Sequence, residues 1–268
     1  MKAGCVLAGV VLATCAQAQS AVAGAETREV VRVGVWAMTP YVTIGADGQP
    51  HGVLVDFFDR EIAPRMGVRF QWERPMTVAR LERSLITGRI MFTPMLARTR
   101  ERLKARVQFA DEPYIRLDPC IAVLPDSAIT HVATPADLAG VTVGWVQAGA
   151  LPAFMQDRRI RLDRVGSIDW TFANLEKLRL GRIGAAYFSN PYTPQFFSAK
   201  TGMELRIISL PTPRIPLYGA FSPQTPRTLA ERYARAAGDA FAGDRFSTYM
   251  HRAVVESVLA APARTDER

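Results

Sequence analysis

The feature that most constrains this chain is an alternation of short β-branched runs with amphipathic segments, run through once from residue 30 to 95 and again from 134 to 210. Val30 to Trp36 reads as a buried first strand. After turn chemistry at Gly45 to Gly48, residues Leu54, Phe57, Phe58, Ile62 and Met66 recur at helical spacing across Val53 to Met66, stopped by Gly67. Val68 to Trp72 predicts a second strand, Val78 to Ile86 a helix closed by Gly88, and Ile90 to Met95 a third strand. Strands joined through helices pair in parallel, because the helix packs back onto the sheet as a crossover.

The grammar then restarts. Thr134 to Leu138 opens a short helix, Val141 to Val146 is a strand, Leu151 to Gln156 starts a helix and Ile160 to Val165 is a strand. Phe172 to Leu180 predicts a helix stopped by Gly181, followed by strands at Ile183 to Phe188 and Leu205 to Leu210. Ile115 to Pro125 passes between the two units, and Pro211 to Pro216 is the return path. Pro226 to Ala242 and Arg245 to Leu259 read as closing helices. The expected fold class is α/β with two lobes.

Composition sets the compartment and excludes several functions. Lys2 precedes an apolar run from Cys5 to Cys15 and then Ala16-Gln17-Ala18, the pattern of a cleaved secretory signal. Cleavage is expected after Ala18, with Ala21-Val22-Ala23 as the second position, giving a signal peptide over 1–18 and a periplasmic protein. Lipidation at Cys15 is the rival, but Thr14 fits poorly before it. Without the signal only Cys120 remains, so no internal disulfide supports the fold. Hydrophobic content of 49% and charged content of 22% are those of a globular chain. The net charge of +8 is spread over scattered arginines with no basic block or stacking motif, which argues against nucleic acid as partner.

Several segments, in order, resemble the family-3 extracellular solute-binding proteins, the amino-acid-binding components of ABC importers. Arg32-Val33-Gly34-Val35, Pro40-Tyr41 and Asp47 to Asp56 look like that family's opening. Thr99-x-x-Arg102 with Val107-Gln108-Phe109 and Pro113-Tyr114 resembles its most diagnostic segment. Asp137-Leu138-Ala139-Gly140 looks like its passage into the second lobe, and Leu85 to Ile90 and Leu178 to Ala185 like its helix-Gly-strand steps. The resemblance implies a Venus-flytrap periplasmic binding protein. Lobe 1 would comprise 30–116 and 217–260, lobe 2 would comprise 122–212, and the hinge 116–122 and 212–217. It also implies a monomer that feeds an ABC permease and needs no cofactor.

The same resemblance places the ligand. Arg102 falls where the family grips an α-carboxylate, and a guanidinium matches a carboxylate with two parallel donors. Thr99 is either a second ligand contact or the N-cap of the helix that carries Arg102. Gln147, Ala148, Gly149 and Ala150 are expected to offer main-chain donors to the same carboxylate from the other lobe. Met95, Ala97, Val78, Trp36, Met38, Tyr41 and Trp170 are candidate walls, each with plain core packing as the alternative, and Ser189 and Asn190 would tune the far end. The departures matter as much. Where the family often carries an aspartate for the ligand's ammonium, this chain has Ser189-Asn190-Pro191, and Met91 and Val78 replace an acid and an aromatic. An ammonium buried without an acid is poorly compensated, so a carboxylic acid or a larger aromatic or apolar compound fits better than an ordinary amino acid.

Catalysis finds little support in the sequence. His51, His131 and His251 lie far apart without metal-ligand spacing, and no Gly-x-Ser-x-Gly elbow or phosphate loop occurs. Cys120 has no evident histidine partner and reads as a structural thiol. A binding protein without enzyme activity is expected. The alternatives are a non-transporting sensor or accessory subunit and, behind these, a dehydratase-like enzyme of the same fold.

Overall fold

The computed structural model describes residues 28–259. The signal segment 1–18, both cleavage positions and Cys15 lie outside the described residues.

The first unit opens with β1 (Glu29–Val33) and a small hairpin, β2 (Thr43–Ile44) with β3 (Pro50–His51). The predicted helix over 53–66 forms in three pieces: α1 (Val53–Phe57), a π-helical turn (Phe58–Ile62) and α2 (Ala63–Met66). It buries Val53, Leu54, Phe57, Phe58, Ile62 and Met66, as the spacing requires, and ends on Gly67 at φ 67°, a left-handed position that glycine adopts without penalty. β4 (Val68–Trp72) pairs in parallel with β1. α3 (Val78–Ile86) starts at Thr77, whose hydroxyl accepts from the Arg80 amide at 3.3 Å, and buries Val78, Leu81 and Leu85. β5 (Phe92–Ala97), α4 (Arg100–Lys104), β6 (Gln108–Phe109) and β7 (Ile115–Leu117) follow.

β8 (Cys120–Val123) carries the chain into the second sheet. A 3-10 turn at Pro135–Leu138 bears a capping box between Thr134 and Asp137 and leads to β9 (Thr142–Val146). Then come β10 (Arg161–Val165), α5 (Trp170–Arg179), β11 (Ala185–Phe188), α6 (Tyr192–Thr201) and β12 (Arg206–Ser209). β13 (Ile215–Phe221) returns to the first sheet, and α7 (Arg227–Ala240) and α8 (Arg245–Leu259) close the chain. The sheet orders are β4-β1-β5-β13-β6, with β7 on β13, and β10-β9-β11-β8-β12. Pairing is parallel among β4, β1 and β5 and among β10, β9 and β11, and antiparallel where the crossing strands β8 and β13 join.

Besides the short strands β2, β3 and β6, two longer elements escaped the sequence reading. α6 has little apolar stripe and holds Pro194, and β13 begins inside the proline-rich stretch read as a bare return path. The crossing strands make two lobes with a seam between them. Across it Trp170 Nε1 donates to the Ala37 carbonyl at 2.7 Å, and the Trp36 and Trp170 rings lie 6.0 Å apart.

Candidate ligand-binding site

The site forms where α3, the end of β5 and the start of α4 meet the loop after β9. Thr99 caps α4, its hydroxyl accepting from the Arg102 amide at 3.4 Å. That fixes the first turn and turns the Arg102 side chain inward, where the residue is only 5% exposed. A guanidinium so buried is costly unless every arm finds an acceptor. Nε donates to Glu82 Oε1 at 2.8 Å, Nη1 to the Ala97 carbonyl at 2.6 Å, and Nη2 to Glu82 and, at 3.4 Å, to the Ala148 carbonyl. Ala148 belongs to the second lobe, so Arg102 reaches across the seam.

The Gln147–Ala150 loop differs from its expected form. The amide of Gln147 donates to Val165 and that of Gly149 to Val146, so neither is free, and the loop faces Arg102 with a carbonyl. No long helix follows it: a 3-10 turn, Ala153–Gln156, replaces the helix expected from Leu151. Pro152 holds Leu151 out of helical geometry, and Asp157 is already extended four residues into the turn. The loop therefore does not lead into an α-helix N-terminus.

A cavity of about 30 Å³ lies at the seam, room for one water. Of the residues expected at the ligand, Trp36, Val78, Met95, Ala97, Arg102, Gly149, Ala150 and Ser189 line it. The others serve elsewhere. Met38 lies 3.6 Å below the Ser189 hydroxyl through its sulfur, Tyr41 is buried beside Phe246, and Trp170 ties the lobes. Asn190 holds the start of α6, its Oδ1 accepting from the Thr193 amide at 3.0 Å, and Gln147 is exposed. Sequence reasoning missed Trp145, which fills the cavity's second-lobe wall, and Glu82, for which no sequence signal exists because its role arises from a contact across 20 residues.

Outside this cavity the cleft widens into a basin of about 940 Å³, bordered by Arg98 to Arg102 on one side and by Asp157, Arg158 and Arg164 on the other. Arg98 is engaged already: it donates to the Ala110 carbonyl at 2.7 Å and lies 4.4 Å from the Tyr218 ring centre. Burial pushes the Cys120 thiol up to about 12, so it stays protonated at neutral pH. Among the described residues no cluster of His, Cys, Asp and Glu is placed to hold a metal ion, and no helix is long and apolar enough to cross a membrane.

No protein-family model and no curated protein matches the sequence. Solved structures do match. A mutant of ArgBP from T. maritima superposes with a TM-score of 0.68 at 26% identity, over 84% of this chain and 95% of that one. An ancestral arginine-binding protein bound to arginine gives 0.69 at 19% identity, covering 84% and 98%. The substrate-binding protein AbpA of an amino-acid ABC transporter from Streptococcus pneumoniae, bound to L-arginine, gives 0.69 at 17%, covering 87% and 96%. This chain has the fold of the family-3 solute-binding proteins. Within that fold, Arg102 and Ser189 line the same cavity at the seam, and Ser189-Asn190 brings no acid to it.

Proposed function

We propose that this chain is a periplasmic solute-binding protein, without catalytic activity, that captures a small carboxylate-bearing compound between its lobes and hands it to an ABC permease. The lobes would be 30–116 with 217–260 and 122–212, hinged at 116–122 and 212–217. The observation that carries the reading is Arg102: a buried guanidinium at the seam, bonded within lobe 1 and to a carbonyl of lobe 2. A carboxylate arriving there would compete with Glu82 for the paired Nε and Nη2 donors of Arg102, and its binding would join the two jaws. The solved relatives that bind arginine support capture of a carboxylate. The missing acid at Ser189-Asn190 argues against an ordinary α-amino acid as the ligand.

The test is calorimetric titration with organic acids and amino acids after a thermal-shift screen. Arg102→Ala is expected to weaken carboxylate binding by about tenfold or more, the worth of a charge-assisted bond. Arg102→Lys keeps the charge without the fork and should fall between. Unchanged affinity in both variants discards the anchor. The accessory or sensor reading draws on one observation, the 30 Å³ cavity, and gains if no small molecule raises the melting temperature.

A further inference from the structure

The inner cavity is far too small for an amino acid, yet the basin outside it has the volume of an ordinary ligand site. Its charge is uneven. Five arginines border it, Arg98, Arg100, Arg102, Arg158 and Arg164, against three carboxylates, Glu82, Glu101 and Asp157. Two of these carboxylates are already committed: Glu82 to Arg102, and Asp157 to Arg159, whose Nη2 donates at 2.8 Å. Glu101 is exposed and held below its ordinary range by its own amide, the Thr99 hydroxyl and nearby cations. The side chains of Arg158 and Arg164, by contrast, are exposed and make no hydrogen bond or ion pair among the described residues, while Arg100, also exposed, is one of the cations beside Glu101. Arg100 belongs to the first lobe, while Arg158 and Arg164 belong to the second.

From this we infer that the ligand carries two or more carboxylates and lies in the outer basin, spanning guanidinium groups of both lobes. The inference rests on the solute-binding reading and refines the ligand class. Cations on facing jaws repel, and a polyanion between them converts repulsion into attraction on both sides. A monocarboxylate satisfies one jaw and leaves the other unpaired. Closure is thereby tied to ligand charge, a selectivity that Arg102 alone does not provide.

The probes are citrate, succinate, acetate and L-arginine, titrated by calorimetry into the protein at one fixed ionic strength. Citrate is expected to bind at least about tenfold tighter than acetate, with succinate between, since each added carboxylate gains charge-assisted bonds. The double variant Arg158→Ala with Arg164→Ala should cut the citrate-to-acetate ratio by about tenfold. Arg235→Ala, on α7 and exposed, removes one positive charge outside the basin and should leave the ratio intact. Equal affinity for citrate and acetate, tighter binding of L-arginine than of citrate, or an equal effect of Arg235→Ala overturns the inference. If acetate or L-arginine binds through Arg102 without a preference for citrate, only this inference falls. If nothing binds and Arg102→Ala changes nothing, the solute-binding reading falls with it.

Discussion

Arg102 and Glu82 meet on a single carboxylate oxygen: Nε of the arginine donates to Oε1 at 2.8 Å, and Nη2 converges on the same atom. Both residues come from the first lobe, on α4 and α3, and the glutamate side chain is 27% exposed toward the cleft. Glu82 therefore holds the donors that an incoming carboxylate would use. It keeps a buried charge compensated while the ligand is away, and it competes when the ligand comes.

Replacing Glu82 with Gln tests that competition. An amide accepts without the negative charge, so the arginine keeps a partner but gives it up more readily. Carboxylate affinity should rise about tenfold, the difference between a charge-assisted and a neutral bond, read by calorimetry. A fall in affinity would mean that Glu82 serves mainly to aim Arg102.

The interlobe bond from Trp170 to Ala37 makes a second prediction. Trp170→Phe keeps a ring in contact with Trp36 but removes the Nε1 donor, leaving a buried carbonyl unpaired. The cost is about 1–3 kcal/mol, which lowers the melting temperature by roughly 2–4 °C per kcal/mol in a chain of this size. Because the bond crosses the seam, the variant should also open more easily, seen as a larger radius of gyration in solution scattering. An unchanged radius would show that packing alone holds the lobes together.

What the sequence disclosed follows from what local patterns encode. β4 and α3 form over Val68–Trp72 and Val78–Ile86, the ranges read, because alternation, an apolar stripe and the Thr77 cap all act within a few residues. α6 stayed hidden because its buried residues, Thr193 and Pro194, are not those of an amphipathic stripe, and its start depends on Asn190, read from the sequence as a ligand group. In the site, only the resemblance of its Thr-x-x-Arg segment singled out Arg102, and its burial at the seam is what the structure adds. The residues that define its surroundings, Glu82 on α3, which it bonds, and Trp145 on β9, which lines the same cavity, are brought near it by the tertiary fold alone. The carbonyl that Ala148 turns toward Arg102 depends on its φ of 63°, which no sequence pattern announces at an alanine.

Four buried phenols predict the alkaline behaviour. Burial raises Tyr41, Tyr114, Tyr187 and Tyr233 above the ordinary tyrosine value of 10.0. A raised folded value stabilises the fold fully below pH 10 and is progressively lost above it, since the unfolded chain then releases protons that the folded one retains. Tyrosinate absorbance should show these four of the seven tyrosines un-ionised in the native protein above pH 10, ionising only as it unfolds. Full ionisation with the circular dichroism unchanged would contradict their burial.

Gly149 is where the loop and the cavity wall share space. A Cβ there would stand 2.6 Å from Val146 Cγ1 and 2.7 Å from the Trp145 ring, closer than packed atoms approach. The ring has little room to yield: Trp145 is 2% exposed, and the Tyr187 and Trp170 rings meet it edge-on at 4.5 and 5.3 Å. Gly149→Ala must therefore displace the indole or the loop, at about 1–3 kcal/mol for overpacking. Either movement disturbs the surface facing Arg102, because the indole lines the cavity and the Ala148 carbonyl is the loop's bond to the guanidinium. The expected result is a lower melting temperature together with a carboxylate affinity reduced by about tenfold, measured on the same preparation. A loss of stability with full affinity would show that the ligand draws nothing from this loop, although Ala148 and Gly149 border the basin.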